Sequence, residues 1–262
     1  MMFKRVLCFM FFTTVLFSQE IVLGVVPQQS PLELSKKWLK VTDYLDKKTG
    51  IHVVFKTEKS IDLFEEKLYN GQYDIAYMNP YHFIIANKRE NYNAFVRSNE
   101  NIVGIILGKK DKEFNVNNLK GTTFLFPAPN AFAATLLTKY ELKEKYNFDI
   151  SKETKVIYVN SHDSVYKGIA RGVGDFGGGI KRTFDNFKDT EDKDKIDIVY
   201  KTNNYPSHPF ASHPRVSKEI VEKISKAIIE MPDELKEILS IKDFILTSTI
   251  EYDVIKNLEI NK

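Results

Sequence analysis

Eight side chains stand where hydrogen-bond donors could gather on an anion: Ser60, Asn79, Tyr81, Asn130, His162, Ser164, Arg182 and His208. They are hydroxyls, amides, imidazoles and a guanidinium. Such groups grip oxygen atoms; an imidazole does so more strongly when protonated, and arginine does so bidentately. The parts needed for turnover are missing. No GxSxG elbow, HExxH helix or GxxxxGK[ST] loop occurs. The glycine run Gly177-Gly178-Gly179 lacks phosphate-loop spacing and reads as room for close backbone approach to a ligand or a hinge. Cys8 is the only cysteine and falls in the N-terminal apolar run, which excludes thiolate chemistry from the rest of the chain. His208 and His213 lie five positions apart in a proline-rich stretch and form no HxxxH pair. The expectation is recognition without catalysis, metal or cofactor. Each candidate also has a plainer reading. Ser60, Ser161, Asp163 and Ser164 suit helix caps, Tyr81 suits packing, and Arg182 suits the surface.

The elements that must position these residues follow from periodicity. Residues 20–26 are a short apolar strand ending at Pro27, and Pro31 opens a helix that Gly50 closes. Residues 51–57 predict a second strand. Ser60 caps a helix over 61–70, and 73–78 form a third strand broken at Asn79-Pro80. A second β-α-β-α-β run occupies residues 122–187: strands at 122–126, 155–159 and 175–180, helices at 131–146 and 165–172. Strands are also expected at 94–96, 102–108 and 196–201, the last returning to the first unit, and helices at 216–231 and 232–241. Parallel β-α-β units bind ligands outside the carboxyl ends of their strands. Asn79, Tyr81, Asn130 and His162 all follow a strand.

The predicted fold is therefore α/β in two lobes, each a mostly parallel sheet flanked by helices, joined by a two-crossing hinge near residues 104–110 and 197–203. Residues 19–106 and 201–262 make the first lobe, and 107–200 the second. Residues 1–18 read as an export signal: Lys4 and Arg5, then an apolar run from Val6 to Phe17 that is short for a membrane span. An uncleaved signal would leave the protein membrane-anchored. The formal charge of +3 falls to +1 once Lys4 and Arg5 are removed, and no clustered basic surface for nucleic acid is present. Residues 188–195 (KDTEDKDK) are a solvated charge run.

These residues resemble a known family. Gly24 to Gln28, Trp38, Tyr44-Leu45 and Thr49-Gly50-Ile51 are similar to the opening of phosphate-, phosphite- and phosphonate-binding proteins of bacterial ABC importers. Tyr73 to Tyr81 (YDIAYMNPY) resembles its third-strand motif. Residues 160–164 (NSHDS) with Gly168, Gly172, Asp175 and Gly177 to Gly179 resemble its second-lobe motif. The resemblance implies a type II periplasmic binding fold, a small oxyanion as ligand, and an inner-membrane permease as partner. A sensor kinase or cyclase is the alternative partner. The chain departs from the pattern at one loop. Where family members carry a Ser/Thr-rich anion loop, this sequence has Pro127-Ala128-Pro129-Asn130-Ala131. Two prolines remove two amide donors, and no hydroxyl occurs before Thr135.

Overall fold

The protein was analysed as a computed structural model that describes residues 20–110, 112–258 and 260. The export signal expected at residues 1–18 lies outside them. The first unit runs β1 (Glu20–Val25), α1 (Pro31–Thr49), β2 (His52–Lys56), α2 (Ile61–Leu68), β3 (Ile75–Tyr77), α3 (Pro80–Glu90) and β4 (Asn93–Ser98). The second runs β5 (Ile102–Lys109), β6 (Thr123–Phe126), a π-turn over Phe132–Leu136, α4 (Leu137–Tyr146), α5 (Ile150–Glu153), β7 (Lys155–Tyr158), α6 (His162–Ala170), β8 (Phe176–Ile180), α7 (Lys181–Asp185), α8 (Thr190–Lys193) and β9 (Ile196–Tyr205). The chain then returns through β10 (Pro209–Ser212), α9 (Lys218–Ile229), α10 (Asp233–Leu239), β11 (Phe244–Leu246) and α11 (Asp253–Lys256).

Two sheets result. The first has the order β11-β4-β10-β3-β1-β2 and the second β7-β6-β8-β5-β9. The β-α-β-α-β pattern produces the parallel trio in each: β2, β1 and β3, then β7, β6 and β8. Antiparallel strands extend both trios, β10 beside β3 and β5 beside β8. The lobe limits shift from those expected. β5 pairs with β9 from Ile102 opposite Tyr205 to Lys109 opposite Ile196, so both strands belong wholly to the second sheet. The crossings lie between Ser98 and Ile102 and between Tyr205 and Pro209. An almost wholly apolar strand such as β5 does not announce which sheet it enters. Residues 196–201, expected to return to the first lobe, do not; β10 does. It is a buried interior strand whose proline stands at its first position, where a missing N–H is tolerated.

The same device locks both trios. Asp74, just before β3, accepts a hydrogen bond from the Val22 amide at 2.8 Å. Asp175, just before β8, accepts one from the Thr123 amide at 2.8 Å. In each unit the carboxylate ties the third strand to the first. Trp38 anchors α1 on the first sheet, its ring 5.1 Å from Tyr77 and 5.9 Å from Phe210. In the second sheet the glycines make room for a helix rather than a ligand. A methyl group on Gly178 would stand 2.0 Å from the Ala134 carbonyl oxygen, and one on Gly104 2.2 Å from that of Ala133. The π-turn thus lies directly on bare backbone.

That closeness is testable. Gly178→Ala must displace main chain and is expected to lower stability by about 2 kcal/mol or more. Gly108→Ala, whose added carbon would meet the Phe176 ring at 3.3 Å, should be near neutral. Urea denaturation of the two variants makes the comparison; equal costs would contradict the packing described.

Candidate functional site

The two sheets face each other across a cleft whose inner end is closed by protein. Phe132, Ala133 and Leu137 of the second unit share one buried cluster with Phe64, Phe83 and Tyr252 of the first. Beside it, Asn79 caps α3: its Oδ1 accepts from the His82 amide at 2.8 Å. That bond fixes the side-chain amide, whose Nδ2 lies 3.0 Å from His82 Nε2 and donates to the Asn130 carbonyl at 3.2 Å. Asn130 Nδ2 in turn donates to Glu65 Oε2 at 3.0 Å. Glu65 Oε1 stands 2.9 Å from His82 Nε2. Asn79 and Asn130 therefore hold the two units to each other.

His162 and His208 are both buried. His162 is the first residue of α6, placed there because Ser161 caps that helix. His208 sits on the second crossing, its Nε2 2.9 Å from Gln28 Nε2 and its ring stacked 5.5 Å from Tyr77. The Nδ1 atoms of His82, His162 and His208 all lack a hydrogen-bond partner. At the mouth, Arg182 of α7 donates from Nη2 to the Tyr77 hydroxyl at 3.3 Å, a contact between the two units. Lys37 of α1 donates to Gln29 Oε1 at 2.8 Å. A cavity at this point is lined by Gln28, Gln29, Lys37, Tyr77, Arg182 and Thr183, among others.

Of the eight residues singled out in sequence, the structure brings Asn79, Asn130, Arg182, His162 and His208 to the interface between the units. Ser60 is spent as the cap of α2, its Oγ accepting from the Leu63 amide at 3.4 Å. Ser164 is exposed, and its hydroxyl lies 2.8 Å from that of Ser161. Tyr81 packs half-buried beside the shared cluster. Lys37, Gln28, Tyr77, Glu65 and His82 were not singled out. Gln28 and His82 lie on strand-end segments that the fold rule marks. Lys37 sits on the polar face of a helix, where nothing in the pattern separates it from its neighbours.

Burial sets the charge state here. It holds His162 down to about 4, so the imidazole is neutral near pH 7. His208 is pushed down by burial first, then by the Arg182 guanidinium and by the neighbouring His82 and His162 rings. The half-buried Lys37 is lowered by burial and by Lys188, with Arg182 adding to the effect. A histidine whose folded pKa is depressed leaves the unfolded chain to take up the proton first. Stability is then complete above about 6.5 and drains as pH falls toward about 4, by roughly 3 kcal/mol for His162 alone. Melting temperatures of the ligand-free protein should fall over that interval, and His162→Gln should flatten the slope. A pH-independent melting point would contradict the burial assigned to both rings.

Comparison with known proteins agrees with this architecture. The family model for the ABC transporter, phosphonate, periplasmic substrate-binding protein matches residues 23–253. A phosphate-import protein PhnD from Mycolicibacterium smegmatis is 25% identical over 236 residues, covering 79% of this chain and 70% of that protein. Two solved structures superpose with TM-scores of 0.83. One is a binding-protein component of an ABC phosphonate transporter from Pseudomonas aeruginosa, 18% identical, covering 92% of this chain and 86% of that one. The other is PhnD1 from Prochlorococcus marinus in complex with methylphosphonate, 15% identical, covering 92% and 97%. Among the described residues no helix is long and apolar enough to cross a membrane. With the family model spanning both sheets and both crossings, this chain belongs to the phosphonate substrate-binding protein family of ABC transporters.

Proposed function

We propose that the protein is exported to the periplasm, binds a small oxyanion such as phosphate, phosphite or a phosphonate between its two units, and delivers it unchanged to a membrane permease. The observation that carries this reading is the Arg182 to Tyr77 contact across the cleft. A guanidinium from one unit reaches the other through a neutral hydroxyl, and among the described residues it forms no ion pair. An oxyanion offers what such a group lacks. A ligand touching both units stabilises the closed arrangement over the open one by its differential affinity for the two, which is how a two-lobed receptor signals occupancy. Export rests on the charged and apolar N-terminus, and transport on the importer family. Docking on a sensor kinase or cyclase is the weaker reading, since the matching family model is that of a transporter component.

Titration calorimetry of residues 19–262 against phosphate, phosphite, methylphosphonate, sulfate and arsenate tests the ligand class. At least one phosphorus oxyanion is expected to bind. At a hundredfold excess over its dissociation constant it should raise stability by about 3 kcal/mol, seen as a thermal shift. Neither heat nor shift with any of the five would overturn the oxyanion reading while leaving the fold intact.

A further inference from the structure

The inner end of the cleft is the expected place for an anion, and in this chain its loop is short of donors. Pro127 and Pro129 have no amide to offer. Asn130 spends its side-chain amide on Glu65 and its carbonyl on Asn79. The Glu65 carboxylate then faces the same loop, and a second negative charge placed there would be repelled.

The mouth has the opposite character. Lys37 rises from α1 on the first unit and Arg182 from α7 on the second, and both line one cavity with Gln28, Gln29, Tyr77 and Thr183. They donate to uncharged oxygens, Gln29 Oε1 for the lysine and the Tyr77 hydroxyl for the arginine. Neither cation forms an ion pair among the described residues. Lys37 and Arg182 repel each other, and Glu33 and Asp163 offset this for Lys37 only by attraction without an ion-pair contact, so an anion entering between the two cations is favoured. The adjoining groove, which Lys37 also lines, is mixed: Lys36, Lys40, Lys167 and Lys188 stand with Glu33, Asp163, Asp189 and Glu237. Glu33 is engaged by Lys36 at 2.7 Å, Asp189 lies 3.5 Å from Lys167, and Asp163 attracts both Lys167 and Lys37 from that groove. The cavity itself is lined by Lys37 and Arg182 and by no carboxylate among the described residues.

We propose that Lys37 and Arg182 are the charge-recognition pair of this protein, gripping a phosphoryl or phosphonyl group at the cleft mouth from opposite units in place of the proline-broken inner loop. The inference rests on the oxyanion reading above. It makes recognition depend on side-chain cations rather than on backbone amides. It also makes ligand charge the link that draws the two units together, since each cation belongs to a different one. Two facing cations favour a group able to carry two negative charges, so a phosphonate should be preferred over a sulfonate of the same shape.

The experiment is calorimetry with inorganic phosphate, methylphosphonate and methanesulfonate on the full mature chain and four variants, at low and at moderate salt. Lys37→Met and Arg182→Gln are each expected to weaken phosphonate binding at least tenfold and to flatten its salt dependence, with Arg182→Lys falling between. Lys143→Met, which removes an exposed lysine of α4, should change neither. Methanesulfonate should bind at least tenfold more weakly than methylphosphonate. Thermal melts confirm that the variants fold; both cations are partly exposed, so their loss should leave the melting point close to that of the parent. Phosphonate binding that survives both cation substitutions would overturn the proposal while sparing the oxyanion reading. A parent protein that binds none of the three ligands would overturn both.

Discussion

The interface between the two units depends on how closely one helix start rests on bare backbone. The carbonyls of Ala133 and Ala134 approach Gly104 and Gly178 so nearly that no side chain could stand at either position. The turn is wound as a π-helix, with the Leu136 amide reaching back to the Ala131 carbonyl at 3.2 Å. Seated that low, it presents Phe132 to the apolar cluster of the other unit and places Asn130 within reach of Asn79 and Glu65. Residues 177–179 and residues 127–131 are distant in sequence, yet they are one structural decision. Glycine on the strands permits the approach, and alanine-rich sequence in the helix keeps the approaching surface thin.

Electrostatics follow from that closure. Burying the inner end takes His162 and His208 away from water, and burial favours their neutral form. Lys37 and Arg182 stand half-buried at the mouth. A cleft with two cations at its rim attracts anions over a distance. His162 and His208 lend polarity without charge near neutral pH, which leaves the two cations to meet the charge a ligand brings.

Much of this was legible in the chain. The two parallel trios follow from apolar strands separated by capped, periodic helices, a signal that sequence carries strongly. Strand ends were also legible, and with them Asn79, Asn130 and His162. The failures have physical causes. β10 is short, proline-led and flanked by histidines, so its place inside the first sheet comes from tertiary pairing with β3 and β4 and not from local propensity. The crossings were misplaced because strands β5 and β9 pair along their whole length, and pairing is a long-range property. Ser60 satisfies a helix start and Ser164 pairs with the Ser161 hydroxyl that caps the next one, demands that exist whether or not a ligand does. Lys37 was invisible because a lysine on the polar face of a helix acquires meaning only from what the second unit sets opposite it.

The departure at residues 127–131 is the point at which fold and recognition come apart. Backbone amides at a helix start are fixed donors: they are aligned once the helix forms, and they cost little to hold in place. Prolines at 127 and 129 remove two donors ahead of the helix start at Phe132, yet the sheet beneath and the strand order are unaffected, because neither proline interrupts a ladder bond of β6. What replaces those two amides must come from side chains. Lysine and arginine lose rotamer freedom when they settle on a ligand, so their grip is less preorganised and more sensitive to salt. Their compensation is reach. One cation from each unit spans the cleft, so the same contacts that read the ligand's charge also close the protein around it.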